Sequence, residues 1–214
     1  MKPCNSVTLY PHILDWLCGE LLGDGCLYSH HALSAKFKYT SKYIEYTWYV
    51  SRTLHSFGIV QAGKIYRNSN GFGTTYMYQS LSYLELRMLY DAWYPNGKKV
   101  VPKGLMLPSI TCRQWYIGDG SLQHRQDGRP SITLCSDCFP ISSVNWLVSQ
   151  LIALGFDTTR QPNSNRVHIS STSTEAFLKY IGECPVECYR YKWDLGGRVV
   201  LEHLFQQMEK YSNV

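Results

Sequence analysis

Apolar and polar positions along the chain follow two rhythms, and both rhythms occur twice. Residues 17–27 (LCGELLGDGCL) and 112–122 (CRQWYIGDGSL) are apolar stretches with helical spacing, each ending in Gly-Asp-Gly, with Asp24 and Asp119 95 residues apart. A strand-like alternation follows in each copy, SAKFKYT at 34–40 and SITLCSD at 131–137. Next come helical stretches closing on TLHSFGI (53–59) and QLIALGF (150–156), where Gly58 and Gly155 stand in the C′ position that glycine favours. Residues 64–81 and 158–170 have polar Gly/Asn/Ser centres between alternating flanks, a hairpin signature. Each hairpin leads to a short helix, at 83–93 and 174–181. Helix, strands, helix, hairpin, helix is thus written twice, which predicts an α+β chain of two pseudo-symmetric halves, 1–100 and 101–214.

The two aspartate helices have a way to pack. Gly19 and Gly23 lie four apart on the first, so a partner backbone can come close along that face. The second has Gly118 at the matching site and Gln114 in place of the other glycine, which makes the expected pair asymmetric. Packed side by side, the helices bring Asp24 and Asp119 together at the pseudo-twofold axis. A carboxylate just past a helix C-terminus opposes the macrodipole, and a divalent cation would relieve that. Hard oxygen ligands suit Mg²⁺, which takes one or two carboxylates and completes its shell with water and phosphate oxygens. Two such carboxylates related by a twofold match the two scissile phosphates of duplex DNA.

Composition changes this picture little. The 214 residues carry a formal charge of +5, and 44% of them are hydrophobic, enough for a core but a weak sign of a nucleic-acid partner. No run reaches the ~18 apolar residues of a membrane span, and the N-terminus lacks a signal peptide's apolar segment, so no membrane role and an intracellular chain are expected. Of eight cysteines, Cys135/Cys138 and Cys184/Cys188 have zinc-like spacings. The first pair falls at a strand end without knuckle glycines, so scattered buried thiols are the expectation.

The segments LCGELLGDG and CRQWYIGDG resemble the two motif copies of a single-chain LAGLIDADG homing endonuclease, over a span from about Pro11 to about Leu204. The second copy and the segment WYPNGKKVVPK resemble the branch found in group I introns. The resemblance implies two αββαββα halves with saddle-shaped antiparallel sheets and the motif helices packed at the interface. It implies a monomer that makes staggered, Mg²⁺-dependent double-strand breaks in a long DNA site. Mn²⁺ or another divalent ion would substitute, and Ca²⁺ would not support cutting. The metal ligands map to Asp24 and Asp119, with the backbone carbonyls of Gly23 and Gly118 beside them. The sixth motif position, acidic in the family, is Leu22 and Ile117 here, a packing position that leaves activity intact. Glu20, mid-motif, reads as a polar spacer.

The family also places a basic residue beside each cleavage centre, where it can steady developing phosphorane charge. Lys98, Lys99 and Lys103 are the candidates in the first half, Lys98 being the closest match by spacing to Lys192 in the second. For the DNA surface, alternation separates Lys36 and Lys38 from Phe37 and Tyr39. Lys64, Arg67, Tyr76, Tyr78 and Gln79 join them from the first hairpin. His124, Arg125, Arg129, Arg160, Gln161, Asn165, Arg166 and His168 gather on strands or tips of the second half. Such side chains read base edges or hold phosphates. The alternative on the same scaffold is a maturase that binds host intron RNA. The resemblance leaves the compartment open between an archaeal cytoplasm and an organelle with group I introns.

Overall fold

The computed structural model describes residues 5–70, 73–124 and 129–196. One topology is laid down twice. The first copy is α1 (Pro11–Leu22), β1 (Cys26–His31), β2 (Ser34–Ser41), α2 (Ile44–Ser56), β3 (Tyr66–Asn70), β4 (Gly73–Gln79) and α3 (Leu84–Trp93). The second is α4 (Ser109–Asp119), β5 (Gly120–His124), β6 (Pro130–Leu134), α5 (Ile141–Ala153), β7 (Thr158–Arg160), β8 (Val167–Ile169) and α6 (Ser171–Ile181). Both are αββαββα, and the four-stranded antiparallel sheets have matching orders, β1-β2-β4-β3 and β5-β6-β8-β7. Two 3₁₀ segments, Pro95–Gly97 and Glu187–Trp193, follow α3 and α6. No helix among the described residues is long and apolar enough to cross a membrane.

Local chemistry accounts for the boundaries. Pro11 starts α1 in the first turn, where a missing N–H costs nothing. Both α2 and α5 end in the left-handed glycine predicted for them, Gly58 at φ +81° and Gly155 at φ +92°. There the amides of Ile59 and Phe156 turn back onto the carbonyls of Leu54 and Leu151, at 2.8 and 3.1 Å.

Each sheet buries the face toward its helices, and in β6 Ser131 and Thr133 of the opposite face are buried as well. Phe37, Tyr39 and Tyr78 in the first, and Ile132, Leu134, Val167 and Ile169 in the second, are at most 1% exposed. They join Leu17, Leu21 and Leu22 of α1 and Trp115, Tyr116 and Ile117 of α4 in one continuous core. At the centre α1 lies against α4 at backbone distance. A Cβ on Gly23 would sit 3.3 Å from the Cα of Gly118, and one on Gly118 would sit 3.1 Å from the Cα of Gly23. At Gly19 the fit is tighter still, with the Thr111 carbonyl oxygen 2.6 Å from where a Cβ would be. Both motif helices therefore reach the axis together, and the residues at their C-terminal ends are delivered to one place.

Candidate functional site

Asp24 and Asp119 leave the ends of α1 and α4 next to this glycine contact. A Cβ on Gly118 would come within 3.0 Å of the Asp24 amide nitrogen. The glycine after each aspartate is a steric requirement. The Gly25 amide donates to the Glu20 carbonyl at 2.8 Å, folding the chain back onto the last turn, and a Cβ there would meet that carbonyl oxygen at 2.6 Å. Gly120 donates instead to the Tyr116 carbonyl, the last α-helical bond of α4, and Tyr116 atoms occupy the space a Cβ would need. The Asp119 carbonyl then accepts from the Cys135 amide at 2.8 Å, which ties the end of α4 to β6. Asp24 keeps an edge open to solvent while the surrounding groups desolvate much of its carboxylate, and Asp119 is half-buried.

Two lysines cap these helix ends. The Lys99 ammonium donates to the carbonyls of Gly25 at 2.9 Å and Gly23 at 3.4 Å. The Lys192 ammonium donates to the carbonyls of Ile117 at 2.6 Å, Tyr116 at 3.3 Å and Gly118 at 3.5 Å. Cations at the C-terminal carbonyls offset the helix dipoles that the aspartates oppose, a role that spacing alone did not reveal. Lys192 is 6% exposed, and Tyr116 donates its hydroxyl proton to the Lys192 carbonyl, which anchors the segment. Lys98 and Lys103, also candidates by sequence, are exposed. The chain turns through Asn96 at φ +59° and Gly97 at φ +74° just before the lysine pair. It is Lys99, and not Lys98, that meets the end of α1. Lys103 instead lines an apolar groove of about 630 Å³ with Pro95, Val101, Pro140 and Trp146.

Crowding four charged groups into one cleft displaces their equilibria. Burial, then the neighbouring Asp24 carboxylate, raises Asp119 from 3.8 to about 7, against the pull of Lys99 and Lys192. Burial also raises Asp24, again opposed by the two lysines. Both lysines move down, Lys192 to about 8, because their ammonium groups lose water; the carboxylates hold part of the charge in place. The donor set is oxygen: two carboxylates and the carbonyls at two helix ends. Among the described residues no group of three or more His, Cys, Asp or Glu gathers, so Cys135, Cys138, Cys184 and Cys188 do not assemble as a zinc site. Few protein oxygens with open solvent access fit a small hard cation that keeps much of its water.

Comparison with known proteins decides the relationship. The profile of the LAGLIDADG DNA endonuclease family matches residues 14–177. The chain belongs to that family. It is 27% identical over 212 residues to the uncharacterized protein MJ1098 of Methanocaldococcus jannaschii, covering 90% of this chain and 82% of that one. The homing endonuclease I-WcaI, solved bound to its DNA recognition sequence, superposes with a TM-score of 0.74 at 19% identity over 86% of this chain and 87% of that one. I-DmoI, solved in complex with DNA and Mn, gives a TM-score of 0.53 at 15% identity over 82% and 98% of the two chains. These superpositions establish the LAGLIDADG fold.

In this LAGLIDADG chain strand register sorts the residues expected on the DNA surface. Lys38 pairs with Gln79 and Tyr39 with Tyr78, so Lys36, Lys38 and Gln79 share the face away from the helices. Tyr78 lies on the other face and is fully buried. Tyr76 and Arg67 are paired with each other at that same parity, so they too belong to the helix side, Tyr76 half-buried and Arg67 exposed at the edge strand. The expectation had placed Tyr76 and Tyr78 on the DNA side, and the register reverses it, because alternation within one strand does not fix which β4 residue faces Lys38. The open face also carries Tyr66 and Asn68, and Tyr28, which sequence reasoning passed over, opposite Lys36 and under the Lys38 ammonium at 4.3 Å. Lys64 is exposed just before β3.

The second sheet corrects more of the expectation. Arg160 pairs with buried Val167, on the helix side, and donates to the Asn145 side chain of α5 at 3.1 Å. Asn165 donates to the Phe139 carbonyl at 2.6 Å and so holds a loop. Gln161 accepts from the Ser164 hydroxyl at 2.8 Å, closing its own turn. Arg166 pairs with Asp137 at 2.8 Å near the surface. His124 closes β5 with the parity of Leu122, opposite Pro130, and Arg129 is exposed beside it. His168 faces away from the helices, level with Thr133 and Thr159, and exposed Gln123 shares that side. Arg125 lies outside the described residues.

Proposed function

We propose that this chain is a homing endonuclease that binds a long duplex site as a monomer and makes a staggered, Mg²⁺-dependent double-strand break in it, in the service of intron mobility. The convergence of Asp24 and Asp119 beside the Gly23–Gly118 contact, each with its own lysine-capped helix end, is the observation that carries this reading. Two carboxylate centres about one pseudo-twofold suit a substrate whose two scissile phosphates are related in the same way. The DNA bound to I-WcaI and I-DmoI, and the Mn that accompanies it in the latter, support duplex DNA as substrate and a divalent ion as cofactor.

Asp24 and Asp119 would hold the ion, with the Gly23 and Gly118 carbonyls beside them. Bound there, Mg²⁺ supplies Lewis-acid polarisation of a phosphate oxygen and an acidified water. The protein's own groups do the rest. Lys99 and Lys192, fixed by backbone carbonyls, present positive charge where the phosphorane gains negative charge. Lys192, near 8, can also hold or release a proton around neutrality. Lys36, Lys38 and Gln79 line a sheet face that can follow phosphates and base edges, and the joined halves already supply both half-sites.

The test is to incubate purified chain with a plasmid carrying the intron-free insertion site of its gene, with Mg²⁺ and with EDTA. Linear product with a staggered end only in Mg²⁺ is expected. Binding to the host intron RNA with no cutting of that duplex would sink the nuclease reading and install the maturase in its place.

A further inference from the structure

Beneath the aspartates, three side chains from three helices meet in a space closed to water. Gln114 of α4 donates through Nε2 to Glu20 Oε1 of α1 at 2.7 Å, and lies 3.1 Å from the Tyr46 hydroxyl of α2. Tyr46 donates to the same Glu20 oxygen at 2.6 Å. None of the three is more than 2% exposed. Burial raises Glu20 to about 8, so near neutrality the trio carries no buried charge. Gln114 Oε1 finds no partner among the described residues. Apolar side chains of similar size would fill this space without that penalty, so hydrogen bonding here adds direction more than stability.

The trio sits where it can set the helix pair. Gln114 and Gly19 hold equivalent places in the two motif copies, and a Cβ on Gly19 would lie 2.7 Å from the Gln114 Cβ. The large residue on one helix is admitted by the missing side chain on the other. One turn further on is the Gly23–Gly118 contact, followed directly by the aspartates. One turn back, Thr111 donates to the Asp15 carbonyl at 2.8 Å, a second tie between the same helices. The arrangement has no mirror image: Trp115 stands at the place equivalent to Glu20.

We propose that Glu20 and Gln114 are positioning residues whose hydrogen bond fixes the axial register of α1 against α4, and through it the mutual placement of the Asp24 and Asp119 carboxylates. The catalytic consequence rests on the nuclease reading above; the structural consequence does not. A register error displaces both aspartates together, so its kinetic signature differs from loss of one lysine or one carboxylate.

The test compares full-length wild type, Gln114→Leu and the exchanged pair Glu20→Gln/Gln114→Glu, by crystal structure and by steady-state cutting of the insertion-site duplex. In Gln114→Leu the helix pair should shift by on the order of 1 Å, and kcat should fall roughly 10–100-fold with KM within about twofold. Both strands should slow in parallel, with no accumulation of nicked plasmid. The exchanged pair keeps a donor facing an acceptor and should restore register and kcat. A Gln114→Leu structure whose α1 and α4 superpose on wild type, or an unchanged kcat, would overturn the proposal. If Gln114→Leu does not fold, Glu20→Leu removes the same bond from the other helix and is judged identically. If wild type cuts no duplex, the nuclease reading fails, and the structures still decide the register.

Discussion

Lys192 donates to the carbonyl of Ile117 at 2.6 Å, two residues before Asp119, so a buried ammonium closes the helix that delivers the carboxylate. Lys99 meets the end of α1 at the Gly23 carbonyl and holds the turn after Asp24 through Gly25. Charge balance in the cleft thus comes partly from the chain itself, before any metal arrives.

This predicts a division of labour between the two lysines. Lys99→Met and Lys192→Met should each slow one strand's cut more than the other's, so that nicked plasmid accumulates. Lys98→Ala and Lys103→Ala, at exposed positions, should cut as wild type does. Lys192→Met should also lower stability by about 1–3 kcal/mol, because buried carbonyls lose their donor. A time course of supercoiled, nicked and linear plasmid, with a denaturant melt, checks all four.

Asp24→Asn and Asp119→Asn should each abolish double-strand cutting while leaving duplex affinity nearly unchanged. Full double-strand cutting by both single variants would remove the proposed centre.

The raised Asp119 pKa gives a signed pH effect. Below about 3.8 the acid is protonated whether folded or not, and makes no difference. Between there and about 7 the unfolded chain ionises while the folded one does not, so metal-free stability is lost as pH rises through this window. Asp119→Asn should therefore be more stable than wild type at pH 7 by about 1–3 kcal/mol, allowing for solvent screening, and equal to it near pH 4. Because the cation must displace the proton, Mn²⁺ affinity should climb with pH and level off above 7. Melting curves and Mn²⁺ titrations at stepped pH test both signs.

The sheet assignment separates binding from folding. Lys36→Ala and Lys38→Ala should each lower the log–log salt slope of duplex binding by about 0.9 if each holds a phosphate. Arg160→Ala, on the helix side, should leave the slope alone. Tyr78→Ala should cost about 3–5 kcal/mol of stability, as an emptied core site does. Unchanged slopes for both lysine variants would mean that the binding face lies elsewhere.

Much of this was legible in the sequence, for stated reasons. Asp24 and Asp119 stood out because a repeat places them identically, and Gly58 and Gly155 because a left-handed helix end admits few other residues. Lys99 could not be told from Lys98, since the turn at Asn96 and Gly97 decides which of two adjacent side chains points inward. Tyr76, Tyr78 and Arg67 were misplaced because β2 and β4 are not neighbours in sequence, so their register comes from packing. Arg160 looked like a basic tip residue, and only the pairing with Val167 turns it toward α5. Glu20 read as a spacer because a carboxyl on an apolar helix shows its partners only when Tyr46 and Gln114 arrive from distant segments.

The pairing of Gly19 with Gln114 also governs which surfaces will accept each other. Two copies of the first half meeting through α1 would leave an empty space where glycine faces glycine, and would bring two Glu20 acids together without a Gln114 donor. Two copies of the second half meeting through α4 would drive Gln114 against Gln114 in a gap sized for one. Each half is therefore shaped to reject its own likeness and to accept the other. Joining the halves in one chain made such self-exclusion available, since only unlike partners can divide a bump and a hollow between them.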